Sequence, residues 1–215
     1  MAYETEEEQV EKIKDLWRRH GVPLLTGVAI ALAGVFGWQA WNNYQDTQAR
    51  NASTLYQSML EAVLGSDSEA SRARAAELAA QLREEYASTR YADYAALMQA
   101  RLAVEAKDFP VAEESLRDVI KDSKNATLQE VARQRLARVL GEEQRAEEAL
   151  ELFSAPVEGA ELRASREEIR GDLLLSLDRD DEAREAYKAA QEALEDASAR
   201  PQLQLKLDDL AEEVE

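Results

Sequence analysis

RLAVEAKDFPVAEESLRDVI (residues 101–120), RLARVLGEEQRAEEALELFS (135–154) and DLLLSLDRDDEAREAYKAAQ (172–191) share one frame. Leu102, Leu136 and Leu173 align, then Ala112, Ala146 and Ala183, then Leu116, Leu150 and Tyr187. The first two copies lie 34 residues apart and the third follows after 37. Inside each copy, apolar residues recur at intervals of three and four, Ala, Leu, Glu and Arg dominate, and nothing alternates with the period of a strand. Each copy therefore reads as two helices around a turn.

Thirty-four residues is the period of the tetratricopeptide repeat, a helical hairpin in which a small residue early in the second helix permits close packing. A larger apolar residue four positions later fills the remaining gap. Ala112, Ala146 and Ala183 take the small position, and Leu116, Leu150 and Tyr187 the large one. Twelve residues before the first and third of these, Ala100 and Gly171 match the small residue of the first helix, whereas Gln134 does not. The consensus Trp and Tyr are lacking and Pro156 arrives early, so the array is degenerate, with Tyr56 to Glu85 as a fourth, weaker pair. An irregular bundle of Ala-rich helices is the alternative. Cap and turn signals punctuate the chain at 65–67, 86–89, 107–110, around Asn125, at 141–144, 156–159, 178–181 and before Pro201.

Ahead of the repeats stands RRHGVPLLTGVAIALAGVFGWQAWNNYQD (18–46), in which no residue between Arg19 and Asp46 is charged if His20 is neutral. About 20 apolar residues cross roughly 30 Å of hydrocarbon. Trp17 on one side and Trp38, Trp41 and Tyr44 on the other suit the headgroup layer. A cleaved signal peptide is the rival reading, since Ala31-Leu32-Ala33 has a small-x-small pattern. Against it, the apolar run continues beyond Ala33, and six acidic residues precede it. Gly27, Ala31, Gly34 and Trp38 are the expected contacts with another membrane helix, since small residues let helices approach. Lys12, Lys14, Arg18 and Arg19 precede the span and only Arg50 follows within twenty residues, which predicts a tail that stays in the cytoplasm. The expected organisation is a tail (1–20), a transmembrane helix (21–43) and an exported helical domain (44–215), all-α throughout. The helix from Tyr44 to Leu64 is expected to continue straight out of the span, as no Gly or Pro interrupts it.

Of the net charge of −18, the span and tail carry −2, leaving −16 on the exported part. Such a surface repels phosphates and anionic headgroups, which argues against nucleic acid as a partner. The chain has no cysteine, and its one histidine, His20, sits at the membrane edge. Thiol chemistry, disulfides and imidazole catalysis are thereby excluded from the exported part. No nucleophile elbow, phosphate loop or metal spacing occurs, so no catalytic, cofactor or metal residues are assigned and an enzyme is not expected. Carboxylate pairs such as Glu113-Glu114, Glu147-Glu148 and Glu167-Glu168 read as solvated helix faces.

What remains is an anchored array for holding another polypeptide. Its first helices are expected to line a groove through Tyr94, Arg101, Arg135 and Arg138, with Arg101 and Arg135 at equivalent repeat positions. Such arginines could take a carboxylate, or pair instead with the many nearby glutamates.

The tail EEEQVEKIKDLWRRHG, the exit GWQAWN, the helix ASTLYQSMLEAV and the degenerate repeats together resemble the YfgM family of bacterial inner-membrane proteins over essentially the full length. The resemblance implies an ancillary subunit working beside the SecYEG translocon and a PpiD-type membrane-anchored chaperone on exported polypeptides. It also implies a single-pass protein of the bacterial inner membrane, its C-terminal domain periplasmic. A cell-envelope scaffold not tied to Sec is the alternative function.

Overall fold

The computed structural model describes residues 6–65, 68–194 and 200–212. Among these the protein is all-α, with helices α1 (Glu6–Gly65), α2 (Glu69–Glu85), α3 (Arg90–Glu105), α4 (Phe109–Asp122), α5 (Ala126–Glu142), α6 (Ala146–Glu151), α7 (Ala160–Leu175), α8 (Asp180–Glu192) and α9 (Pro201–Glu212). The helix ends fall where the sequence carries cap and turn residues. Ser66 and Asp67 of the first expected break lie outside the described residues. Side-chain oxygens of Ser68, Asp108 and Asn125 accept from the backbone N–H three residues on, satisfying a donor the helix itself leaves orphaned.

The chain divides into two compact units at Arg50–Asn51. α1 passes without a break through both expected boundaries, at 20/21 and 43/44, and through the division itself. In the first unit the apolar run has no cover: Val22, Leu24, Ile30, Val35, Phe36 and Trp38 are exposed. A patch of that size is untenable in water and suits a lipid environment. By length and composition α1 can cross a membrane. The hydroxyl of Thr26 donates to the Val22 carbonyl at 2.8 Å, so the one hydroxyl in the run stays satisfied without water. Trp17 folds back over Gly21, and the Trp41 and Tyr44 rings lie 6.3 Å apart at the other end.

In the second unit, successive helices from α2 to α9 pack on one another, and α3, α5 and α7 also touch as neighbouring first helices. This is the tetratricopeptide arrangement, with α3–α4, α5–α6 and α7–α8 as the hairpins. Each hairpin turn is closed the same way. Asp108, Arg145 and Arg179 donate their backbone N–H to the carbonyls of Ala103, Leu140 and Leu174, while Lys107, Gln144 and Asp178 donate to those of Val104, Gly141 and Leu175. These are Schellman turns, and their left-handed residues are Lys107, Gln144 and Asp178, with φ near 60°. A side chain there costs about 1–2 kcal/mol, of which the extra freedom of glycine when unfolded returns part. Lys107→Gly and Gln144→Gly are thus expected to stabilise the domain by about 0.5–1 kcal/mol each, and Asp178→Gly by less, as read from urea melts.

The turns also correct the repeat frame. Measured from Lys107 to Gln144 to Asp178, the copies lie 37 and then 34 residues apart. The residue equivalent to Ala112 and Ala183 is Ala149 rather than Ala146, and that equivalent to Leu116 and Tyr187 is Phe153 rather than Leu150. Ala137, not Gln134, then matches Ala100 and Gly171, and the mismatch at Gln134 disappears. The identical Arg-Leu-Ala at 101–103 and 135–137 draws the sequence alignment one turn short. A shift of three residues nearly preserves a helix face, so both frames bury the same stripe: Ala146 and Ala149 are both buried.

Second helices are tied along one edge by ions. Arg145, at the start of α6, donates to Glu113 of α4 at 2.7 Å and to Glu148 at 2.7 Å, and Arg179, at the start of α8, reaches Glu147 of α6 at 3.5 Å. Glu113, Glu147, Glu148, Glu167 and Glu168 are therefore paired rather than simply solvated. Hydrogen bonding to Glu113 and then Glu148 raises the Arg145 pKa.

α6 is only six residues long, and the chain after it runs irregularly through Pro156. A buried ion pair closes the gap. Arg166 of α7 donates through Nε to Glu130 Oε1 at 2.8 Å and through Nη2 to Oε2 at 2.5 Å, with both side chains about 5% exposed or less. The same guanidinium donates to the Ala155 carbonyl and stands 5.4 Å from the Phe153 ring centroid. Gln134 donates to both Glu130 and the Leu162 carbonyl at 2.9 Å. Every polar atom of the cluster thereby finds a partner, as burial requires.

Candidate interaction site

Equivalent positions on the first helices of the successive hairpins carry Arg101 on α3, Arg138 on α5 and Asp172 on α7, and Lys206 of α9 follows 34 residues after Asp172. Lys206 donates to Asp172 at 2.6 Å, but among the described residues no ion pair joins Arg138 to Asp172. Arg101 and Arg138 are alike in sign and cannot pair. One turn earlier on α5, Arg135 stands in the position that Ile169 occupies on α7 and Leu203 on α9, both of which are buried core residues. Arg135 is exposed and donates to the Leu97 carbonyl at 3.4 Å.

The result is a cleft of about 420 Å³ between α3 and α5 with Arg101, Arg135 and Arg138 in its walls. Val104, Phe109, Leu116 and Val139 supply the apolar lining, and Val104 remains 39% exposed. Arg101 pairs with Glu105 on its own helix at 2.8 Å. Among the described residues, Arg135 and Arg138 make no ion pair. Desolvation, followed by repulsion from Arg138 and Arg101, lowers the Arg135 pKa. Glu105 and Glu142 also line the cleft, so three arginines there face two carboxylates.

Three of the four residues expected in the groove thus come together, although the equivalent pair is Arg101 with Arg138, not Arg101 with Arg135. Tyr94 does not line this cleft. It belongs to a cluster with Tyr56 and Tyr91, with ring centroids 5.6–6.3 Å apart, which fastens the end of α1 to α3. Burial, then the neighbouring Tyr94 and Tyr91, raises the Tyr56 pKa. Ala100, Ala112, Leu116, Ala146, Ala183 and Tyr187 are buried, Leu150 packs partly buried against the core, and Gly171 lies beneath the Tyr187 ring. Gly27 and Gly34 have nothing near the side they would present a side chain to, and Ala31 and Trp38 are exposed. The sequence reading missed Val104 and Phe109. The signal available was Arg135 at a site that is apolar in two other helices, visible only once the frame is set by the turns.

Stacked helical hairpins with an apolar-lined cleft between two first helices define a tetratricopeptide-type helical array. Residues 14–212 match the tetratricopeptide repeat-like domain family. Three similar proteins carry the name ancillary SecYEG translocon subunit. The one from Escherichia coli K12 is 30% identical over 97% of this chain and 98% of its own length. That from Aggregatibacter actinomycetemcomitans is 33% identical over 89% and 92%, and that from Haemophilus influenzae 28% identical over 90% and 92%. The chain belongs to the YfgM family, whose body is this tetratricopeptide repeat-like domain.

Proposed function

We propose that this protein is a single-pass, membrane-anchored interaction subunit acting beside the SecYEG translocon, with its tail in the cytoplasm and residues 44–215 in the periplasm. The observation that carries the proposal is the end-to-end match to proteins of that name, anchor and repeats together, over 97% of the chain in one case. A PpiD-type chaperone and exported polypeptides are the partners this reading assigns to the helical domain. The four basic residues before the span against one just after it support the orientation.

The anchor has a physical purpose here. A domain carrying about −16 has no affinity of its own for anionic lipid, so its concentration near a membrane channel must come from the span. Confinement to the membrane raises the effective concentration of the domain for anything fixed there without any new contact.

The protein is expected to stay with membranes through high salt and alkaline wash and to dissolve in detergent. Protease added to spheroplasts is expected to digest the domain after Asp46 and spare the tail. A mature chain beginning at Gly34, or a protected domain, would contradict the anchor or the orientation respectively.

A further inference from the structure

We propose that the α3–α5 cleft binds an internal acidic-apolar segment of another polypeptide, a large apolar side chain entering between Val104 and Leu116 while adjoining Asp or Glu carboxylates pair with Arg135 and Arg138. The inference rests on reading the domain as an interaction module, not on the identity of the translocon.

Three observations support it independently. First, Arg135 and Arg138 make no ion pair among the described residues and are open to a carboxylate from outside, whereas Arg101 is already answered by Glu105 at 2.8 Å and Glu142 is the other acidic residue in the lining. Second, α5 forgoes a core residue at this point. Ile169 and Leu203 fill the corresponding gaps between the later helices, while Arg135 leaves one, and the cleft of about 420 Å³ is that gap. Third, the lining is chemically mixed in the way a specific site requires, with an exposed Val104 over Leu116 and a few convergent charged groups at the rim. An arginine fork takes a carboxylate with two parallel hydrogen bonds, which gives register as well as attraction. The net negative charge of the helical domain disfavours such a segment over most of its surface, which helps to orient it at the cleft.

The test uses the full chain in detergent micelles and fluorescein-labelled ten-residue peptides, acetylated and amidated at their ends. The central sequence Glu-Leu-Phe-Glu is compared with Gln-Leu-Phe-Gln and Glu-Ser-Ser-Glu by anisotropy at low and high salt. The first is expected to bind at least about tenfold more tightly than either control, with the advantage over the Gln peptide lost as salt rises. Arg138→Gln is expected to weaken it about tenfold, and Arg74→Gln, which lies outside the cleft, to leave it unchanged. Arg135→Leu restores the apolar residue found on α7 and α9, so it is expected to raise the melting temperature while abolishing binding, an outcome a misfolded variant cannot give. Arg138→Glu is expected to prefer Lys-Leu-Phe-Lys.

Equal binding of the Glu and Gln peptides, or indifference to both Arg135→Leu and Arg138→Gln, overturns the proposal. Binding confined to peptides with a free C-terminal carboxylate overturns it too and assigns the cleft to chain ends. Peptide recognition that persists in a protein making no translocon contact leaves this inference standing and removes the Sec reading instead.

Discussion

Replacing Glu130 by Ala is expected to cost the helical domain about 3–5 kcal/mol, the largest effect of any single side chain considered. The reason lies in what remains. Arg166 is about 5% exposed and would keep its charge without a carboxylate to balance it, and Gln134 would lose one of its two acceptors. Restoring apolar packing with Glu130→Met and Arg166→Met together is expected to recover most of that loss, because the pair's own attraction barely exceeds its desolvation cost. A double-mutant cycle by chemical denaturation measures both numbers. A single-variant cost below about 1 kcal/mol would show that water reaches the pair.

The same carboxylate fixes an acid limb. Burial by itself raises the Glu130 pKa, but hydrogen bonds from Arg166 and Gln134, with the charges of Arg166 and Arg133, more than offset it and leave the pKa low. Glu168 is likewise held low, the burial effect exceeded by Lys206 and Arg200. A depressed carboxylate contributes stability that is fully present above its unfolded value, near 4.3, and is lost as pH falls through the folded value. Stability is therefore expected to decline below about pH 4.5, and less steeply in Glu130→Met/Arg166→Met.

Gly171→Ala carries the second large effect. A Cβ there would approach three ring atoms of Tyr187 to under 3.0 Å. The ring has no room to yield, since Tyr187 is fully buried and its hydroxyl donates to Asp172 at 2.7 Å. Burial, then Asp172, raises the Tyr187 pKa, so the phenol stays protonated and can donate. In an unhindered helix the substitution would gain about 1 kcal/mol of propensity. Overpacking costs typically 1–3 kcal/mol, so a net loss of up to about 2 kcal/mol is expected. Combining it with Tyr187→Leu should relieve the clash, making the double variant more stable than the sum of the single effects. Additivity of the two would mean the ring moves aside freely.

How much of this was legible beforehand depends on what the sequence encodes locally. Helix ends were, because Ser68, Asp108, Asn125 and the turn residues are themselves the caps. Gly171 and Tyr187 were legible as the small and large residues of the repeat, but their contact with each other was not. The register of the second hairpin was not: three residues are almost one helical turn, so a frame sliding from Ala149 to Ala146 still lands on buried alanine. With it went the reading of Arg135, whose oddity shows only beside Ile169 and Leu203. The Glu130–Arg166 pair joins residues 36 apart with no motif to announce it. Tyr94 was expected in the groove, but its ring lies on the face of α3 that meets the end of α1.

Site-specific photocrosslinking in native membranes tests the central claim most directly. Probes in the span, at Ala31 or Trp38, are expected to trap membrane helices of the translocon or its membrane-anchored chaperone, and probes at Arg135 to trap a partner domain or exported polypeptides. Exchanging the span for an unrelated hydrophobic helix is expected to weaken the first set far more than the second. Failure of every probe to capture an export component, in membranes where the protein is present and anchored, would contradict the account and favour a cell-envelope scaffold.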